Sequence, residues 1–220
     1  MPARLFIPRL IAKVRYGGLA WLGSVVRYRL LSIKPNIAPA LLAVSQNRVG
    51  LEIGGPSKIF GKGNILPVYS RAARIDNVNF ANATAWESGL CEEGNFNFDH
   101  DKPPGRQYLR EATHLDGISD SSYDFILSSH CLEHVANPLA ALHEWVGYPR
   151  WRSLMLILPD PPSTFNHRWP TTTLAHLNED FARRTSEDDL THLPEILQLH
   201  DLKHHHGRGM AKPAKLPRPR

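Results

Sequence analysis

Val49-Gly50-Leu51-Glu52-Ile53-Gly54-Gly55-Pro56-Ser57 runs from an apolar strand through an acid into a glycine turn. This order is what decides the fold. A strand buried in a parallel sheet ends at its carboxyl edge in a turn, and glycine there lets the backbone approach a ligand where a side chain would collide. Gly54 and Gly55 meet that need; a plain turn after a strand is the alternative reading of the same letters.

Working outward, residues 72–77 (AARIDN) read as a second strand ending in an acid. Asp76 follows the glycine turn by about the ~20 residues expected of a ribose-binding acid, whose carboxylate accepts hydrogen bonds from both ribose hydroxyls. A turn aspartate before Asn77 is the competing view. Residues 124–129 (DFILSS) form a short apolar run bounded by polar residues, the pattern of a strand buried on both faces of a parallel sheet. His130 opens a loop, and Asn137-Pro138 followed by LAALHEWV places a proline at a helix start with apolar residues at helical spacing. Residues 153–159 (SLMLILP) give another buried strand. Strand and helix therefore alternate at the period of an α/β protein with a doubly wound, mostly parallel sheet.

The first segment and residues 123–135 (YDFILSSHCLEHV) together resemble the cofactor strand and the post-strand-4 signature of class I S-adenosylmethionine-dependent methyltransferases, in the branch called methyltransferase type 11. The resemblance spans roughly residues 45–200 and implies a Rossmann-like fold, S-adenosyl-L-methionine as cofactor, and methyl transfer to a small-molecule, lipid or glycan acceptor. In that family the acid matching Glu52 helps orient the cofactor's methionine part, beside Gly54 and Gly55. Its cofactor has no pyrophosphate, so no phosphate-binding lysine is required, and none follows. Pro56 stands where the second glycine of E-x-G-x-G is usual; lacking an N–H, it leaves the loop to bind through its neighbours. Residues 107–116 (QYLREATHLD) resemble the family's D-A-x-x-L-P segment, with Glu111 and Ala112 in the places that flank adenine and Asp116 replacing the proline. An exposed loop glutamate is the alternative for Glu111. The histidine matching His130 lies beside the transferred methyl group, where it can accept a proton from the nucleophile; an imidazole suits that role because its ordinary pKa is near neutrality.

His130-Cys131-Leu132-Glu133-His134 also fits the H-x-x-E-H pattern of the inverted zinc proteases. On one helix the two histidines would share a face and a zinc, with Glu133 polarising the bound water. The motif follows directly on a strand, which puts His130 in a turn, so no metal is expected and a zinc hydrolase stands as an alternative function. A catalytically impaired scaffold that binds the cofactor weakly is another. In the methyltransferase reading, Glu133 and His134 fix the turn.

Composition frames these motifs. The 220 residues carry no apolar run of transmembrane length and suit one soluble core, and the two cysteines, Cys91 and Cys131, fit a reducing cytoplasm. The net charge of +5 is uneven. No acid precedes Glu52, whereas Arg4, Arg9, Lys13, Arg15, Arg27, Arg29 and Lys34 are interleaved there with apolar residues including Phe6, Trp21 and Tyr28. Residues 1–44 thus read as a basic amphipathic extension: a helical cap over the site, or a peripheral contact with an anionic membrane. No dedicated nucleic-acid module is recognisable. Residues 45–202 are the methyltransferase-like domain. Within it, residues 83–105 read as an ordered loop or lid, whose acids Glu92, Glu93, Asp99 and Asp101 either meet a cationic substrate or face solvent. Phe165, His167 and Arg168 are substrate-facing by position alone. Residues 147–152 (GYPRWR) replace the family's usual helix end and glycine turn, and residues 203–220 read as a disordered basic tail. The final strands of the family's sheet have no counterpart, which is expected to leave residues 154–158 as an apolar edge.

Overall fold

The computed structural model describes residues 38–83, 89–119, 122–147, 153–159, 169–191 and 193–199. The basic segment 1–37, residues 148–152, the trio Phe165, His167 and Arg168, and the tail 203–220 lie outside the described residues. The strands are β1 (Val49–Ile53), β2 (Arg74–Asn79), β3 (Asn95–Phe96), β4 (Gly105–Leu109), β5 (Phe125–Ser129) and β6 (Leu154–Ile157). The helices are α1 (Ala38–Ser45), α2 (Pro138–Gly147), α3 (Leu174–Arg183) and α4 (Leu193–Leu199).

The strands form one six-stranded sheet in the order β3-β4-β2-β1-β5-β6. All pairings are parallel except β3 with β4. The chain enters at β1, steps outward through β2 to β4, and returns across the start to β5 and β6. This is the doubly wound, Rossmann-like sheet expected from the sequence. Its direction of winding reverses between β1 and β5, and such a reversal opens a ligand crevice at the carboxyl ends of the two strands.

Alternation along the buried strands divides the core into two layers. Ile75, Phe125, Leu127 and Met155 face one side, under Phe60, Val68, Tyr69 and Phe98. Leu51, Ile53, Val78 and Ile126 face the other, under Leu115, Tyr123 and the fully buried Trp145. Each such side chain contributes roughly 1.5–3 kcal/mol by leaving water. α2 begins as the sequence predicts: Asn137 Oδ1 accepts from Ala140 N (3.0 Å) as an N-cap, and Pro138 follows.

Several expectations need correction. β2 does not end at Asp76 but continues to Asn79. No α-helix covers the β1–β2 crossover, which contains a short 3-10 turn, Lys58–Phe60; Gly61, Gly63 and Pro67 interrupt any longer helix there. The segment read as a loop or lid contributes β3, whose Phe96 is buried along with Phe98. α1 straddles the boundary expected between residues 44 and 45, and its Leu41 and Leu42 pack against the first core layer. Among the described residues β6 is an edge of the sheet, with Met155 buried and Leu158 half-exposed. No described helix is long and apolar enough to cross a membrane.

Candidate functional site

The turn after β1 is held from below. Gly54 has φ +82°, a conformation that favours glycine, and a Cβ there would come within 2.8 Å of Cys131 Cβ. A Cβ on Gly55 would lie 2.5 Å from Glu52 Oε2 and 2.8 Å from Asn77 Oδ1. These glycines therefore make room for the protein's own side chains, not only for a ligand. Gly54 N donates to Val78 O (2.8 Å), Gly55 N to Asn77 Oδ1 (3.0 Å) and Ser57 N to Glu52 Oε1 (3.1 Å). The Gly55 carbonyl accepts from both Asn77 Nδ2 (3.2 Å) and Asn79 Nδ2 (3.0 Å). Asn77 Nδ2 also donates to Gln107 Oε1 (2.9 Å) on β4. The N–H groups on either side of Pro56 thus point into the protein, which leaves the loop's surface rather than its donors to face a ligand.

Glu52 is fully buried. Tyr69 donates its hydroxyl to Glu52 Oε2 (2.5 Å), so both carboxylate oxygens are engaged within the chain. Burial pushes the pKa of Glu52 up from 4.5 to about 7, against the lowering effect of the Ser57 and Tyr69 hydrogen bonds. Burial, with Glu52 alongside, also holds the Tyr69 hydroxyl protonated as a donor.

Asp76 lies on the other face of the sheet, paired in register with Leu51 rather than Glu52. It is 1% exposed. Its Oδ1 accepts from Arg106 N (2.8 Å), its Oδ2 from the Tyr123 hydroxyl (2.7 Å), and the Arg74 guanidinium approaches to 3.1 Å. Mid-strand and enclosed, this carboxylate ties β2 to β4 and to the segment entering β5. The strand end that the sequence assigned to Asp76 is occupied instead by Asn79, followed by Phe80, which is 67% exposed.

Beyond β4, Glu111 is half-buried and turns back on its own loop, where Oε2 accepts from Ala112 N (2.6 Å). The loop is fastened by α2: Trp145 Nε1 donates to Ala112 O (2.8 Å), and Glu144 Oε1 accepts from Leu115 N (2.8 Å). The acids of the preceding segment are also engaged. Glu92 Oε2 accepts from Leu109 N (2.6 Å) and its Oε1 pairs with Arg110 (2.9 Å), while Asp101 pairs with Lys62 (2.8 Å).

Beyond β5 the chain is open. His130 takes φ 55°, a left-handed conformation rare for a residue other than glycine, and its N–H donates to Ile157 O (3.0 Å). Its ring is 58% exposed, with Nδ1 3.6 Å from Glu133 Oε1; His134 Nε2 lies 3.9 Å from the same oxygen. Leu132–His134 is a single 3-10 turn, so the two histidines do not share a helix as the zinc motif requires. Among the described residues no group of three or more His, Cys, Asp or Glu side chains is placed to hold a metal. Burial pushes the Cys131 thiol up to about 11, leaving it a neutral packing group against Gly54.

The structure thus brings His130 beside the Gly54 turn at the β1/β5 reversal, with the Glu111-Ala112 loop beyond β4. Glu52 and Asp76 sit inside the sheet on opposite faces. A family model described as a methyltransferase domain matches residues 70–149, from just before β2 to the end of α2. Over residues 70–149 the chain is similar to a type 11 methyltransferase domain. Methyl transfer from S-adenosyl-L-methionine is the activity of that family. No curated protein is similar enough to match the chain.

The matched segment includes Asp76, Glu111, Ala112 and His130; Glu52, Gly54 and Gly55 precede it. The residues fit the cofactor in one specific respect. Anionic phosphates require free backbone N–H groups, ideally at a helix N-terminus, and here the N–H groups of Gly54, Gly55 and Ser57 are spent inward with no α-helix following. A cofactor with no phosphate suits this turn and a dinucleotide does not. Sequence reasoning missed the network of Tyr69, Asn77, Asn79 and Gln107. Its one visible signal was the N-x-N alternation of residues 77–79, which reads equally as turn letters.

Proposed function

We propose that this domain methylates an oxygen, nitrogen or carbon nucleophile on a small-molecule, lipid or glycan acceptor, with His130 as the base. The observation that carries the reading is the pairing, at the β1/β5 reversal, of a turn that offers no anion-binding N–H groups with an exposed, backbone-constrained histidine. Gly54 and Gly55 would form the wall on the cofactor's methionine side. Phe80, a large exposed ring just past β2, would offer an apolar surface to adenine, with Glu111 and Ala112 in the loop beyond β4. Glu52 acts from beneath, by fixing Ser57, rather than by touching the cofactor. Asp76 holds β2, β4 and Tyr123 together.

When bound, S-adenosylmethionine supplies an electrophilic methyl on a sulfonium that departs as a neutral thioether. The protein's contribution is largely to position the acceptor. His130 accepts the proton that the nucleophile sheds, with the Glu133 carboxylate near the Nδ1 side of its ring.

The test is to incubate the full chain with methyl-tritiated cofactor and separated pools of small metabolites, lipids and glycans, alongside calorimetric titration with S-adenosylhomocysteine. Label is expected in one pool. His130→Asn, which tolerates the left-handed backbone, is expected to lower transfer by about 10²–10⁴-fold while leaving S-adenosylhomocysteine affinity unchanged. Undiminished transfer would remove His130 as base, and absence of binding would remove the reading as a whole.

A further inference from the structure

β6 ends beside the base. Ser128 pairs with Leu156 and Ser129 with Ile157 in parallel register, and His130 N donates to Ile157 O (3.0 Å). The next step along both strands therefore sets Leu158 against His130, one strand spacing, about 4.8 Å, away. Continued one residue past the end of β6, alternation places Leu154, Leu156 and Leu158 on one face of the sheet. The first two pack against the second core layer, but Leu158 has run past it and is 53% exposed. A single exposed leucine is ordinary on a protein surface. This one stands at the carboxyl edge of the sheet, at the register position that faces an imidazole itself 58% exposed.

Its surroundings share its chemistry. The segments that follow β5 and β6, residues 130–137 and 158–159, contain no Lys or Arg, and Glu133 is the one acid in them. Burial keeps the Cys131 thiol neutral. Among the described residues a phosphate or carboxylate would find no cation on this side of the crevice. A sugar ring set against Leu158 would leave hydroxyls unpaired, at a cost. An alkyl chain or an aromatic ring is what this side chain can cover. We propose that Leu158 determines specificity: it packs against an apolar group next to the acceptor's nucleophile, which makes the acceptor an apolar molecule of the lipid class and not a glycan. This rests on the proposed methyl transfer with His130 as base.

The test partitions a cell extract between chloroform–methanol and water and offers each phase to the full chain with methyl-tritiated S-adenosylmethionine. Label is expected in the organic phase. Leu158→Asn should lower transfer to that phase about tenfold or more, chiefly by raising the amount of extract needed for half-maximal rate, with S-adenosylhomocysteine affinity and urea unfolding unchanged. Leu158→Met, apolar and close in volume, should keep transfer within about threefold of the unaltered chain. Label confined to the aqueous phase would overturn the proposal while leaving methyl transfer standing. So would equal transfer by Leu158→Asn, or a loss of S-adenosylhomocysteine affinity in that variant, which would put Leu158 on the cofactor side. No label in either phase also overturns it, and titration of the unaltered chain with S-adenosylhomocysteine then separates the two readings: binding leaves the cofactor site in place, and no binding removes methyl transfer as well.

Discussion

Two turns border the crevice, and they are built on opposite plans. After β1, the N–H groups of Gly54, Gly55 and Ser57 are all spent inward, above the buried side chains of Glu52, Asn77 and Asn79. After β5, His130 and His134 stand out in solvent with Glu133 between them. A turn whose donors are committed is a rigid wall, able to present shape; a turn with exposed imidazoles can exchange protons and meet a substrate. Glycine turn and exposed histidines thus follow neighbouring strands and are built for separate duties.

If the first turn is locked, Gly55→Ala should do the most damage. The added Cβ would meet Glu52 and Asn77, and we expect a loss of about 3 kcal/mol in urea unfolding. A loss within about 0.5 kcal/mol would make the wall as loose as its neighbour.

The next effect is on pH. Glu52 keeps its proton to about pH 7 when folded but only to about 4.5 when unfolded, so the folded state binds the extra proton between those values. Stability is then full below pH 4.5 and falls as pH rises through 7, by about 3 kcal/mol in all. Glu52→Gln, neutral throughout, should flatten the fall in unfolding free energy between pH 5 and 8; an unchanged slope would place the titration elsewhere.

Smaller again is Trp145→Phe, which keeps the apolar bulk but leaves Ala112 O without its indole donor. We expect about 1 kcal/mol by the same unfolding measurement. Least of all should be His130→Gly in the open turn, where glycine relieves the left-handed backbone. Unfolding free energy should stay level or rise by up to about 1 kcal/mol, and a loss of several would show that this turn too is part of the scaffold.

The sequence makes the apolar framework legible. β1, β5 and β6 are compact runs bounded by polar residues, and Asn137-Pro138 marks a helix start on local chemistry alone. What it hides is polarity that becomes buried. Asn77 and Asn79 read as turn letters, yet belong to β2 and are buried, because partners in the turn after β1 and on β4 satisfy them. Asp76 matched a spacing rule while Tyr123 and Arg106, far away in sequence, held its oxygens. β3 is two residues long in a segment rich in Asn, Asp and Gly, too short to show alternation. The exposure of His130 was legible because it follows from a place just past a buried strand. Glu52 was legible as important but not as internal, since its partner Tyr69 comes from an irregular crossover with no periodicity to announce it.

α2 springs from the Asn137 cap just past the His130 turn and, one helix length later, grips the Glu111-Ala112 loop through Glu144 and Trp145. It is a strut with a foot on each bank of the crevice. The spacing between the His130 turn and the Glu111-Ala112 loop is therefore a dimension in helical phase: one residue inserted in α2 turns its far foot by about 100° and lifts Trp145 off Ala112. Apart from the buried Ala141 and Trp145, the partly buried Leu142 and the gripping Glu144, sequence along the helix can vary, but its length cannot: the ten residues of Pro138–Gly147 set the distance between the two turns it holds.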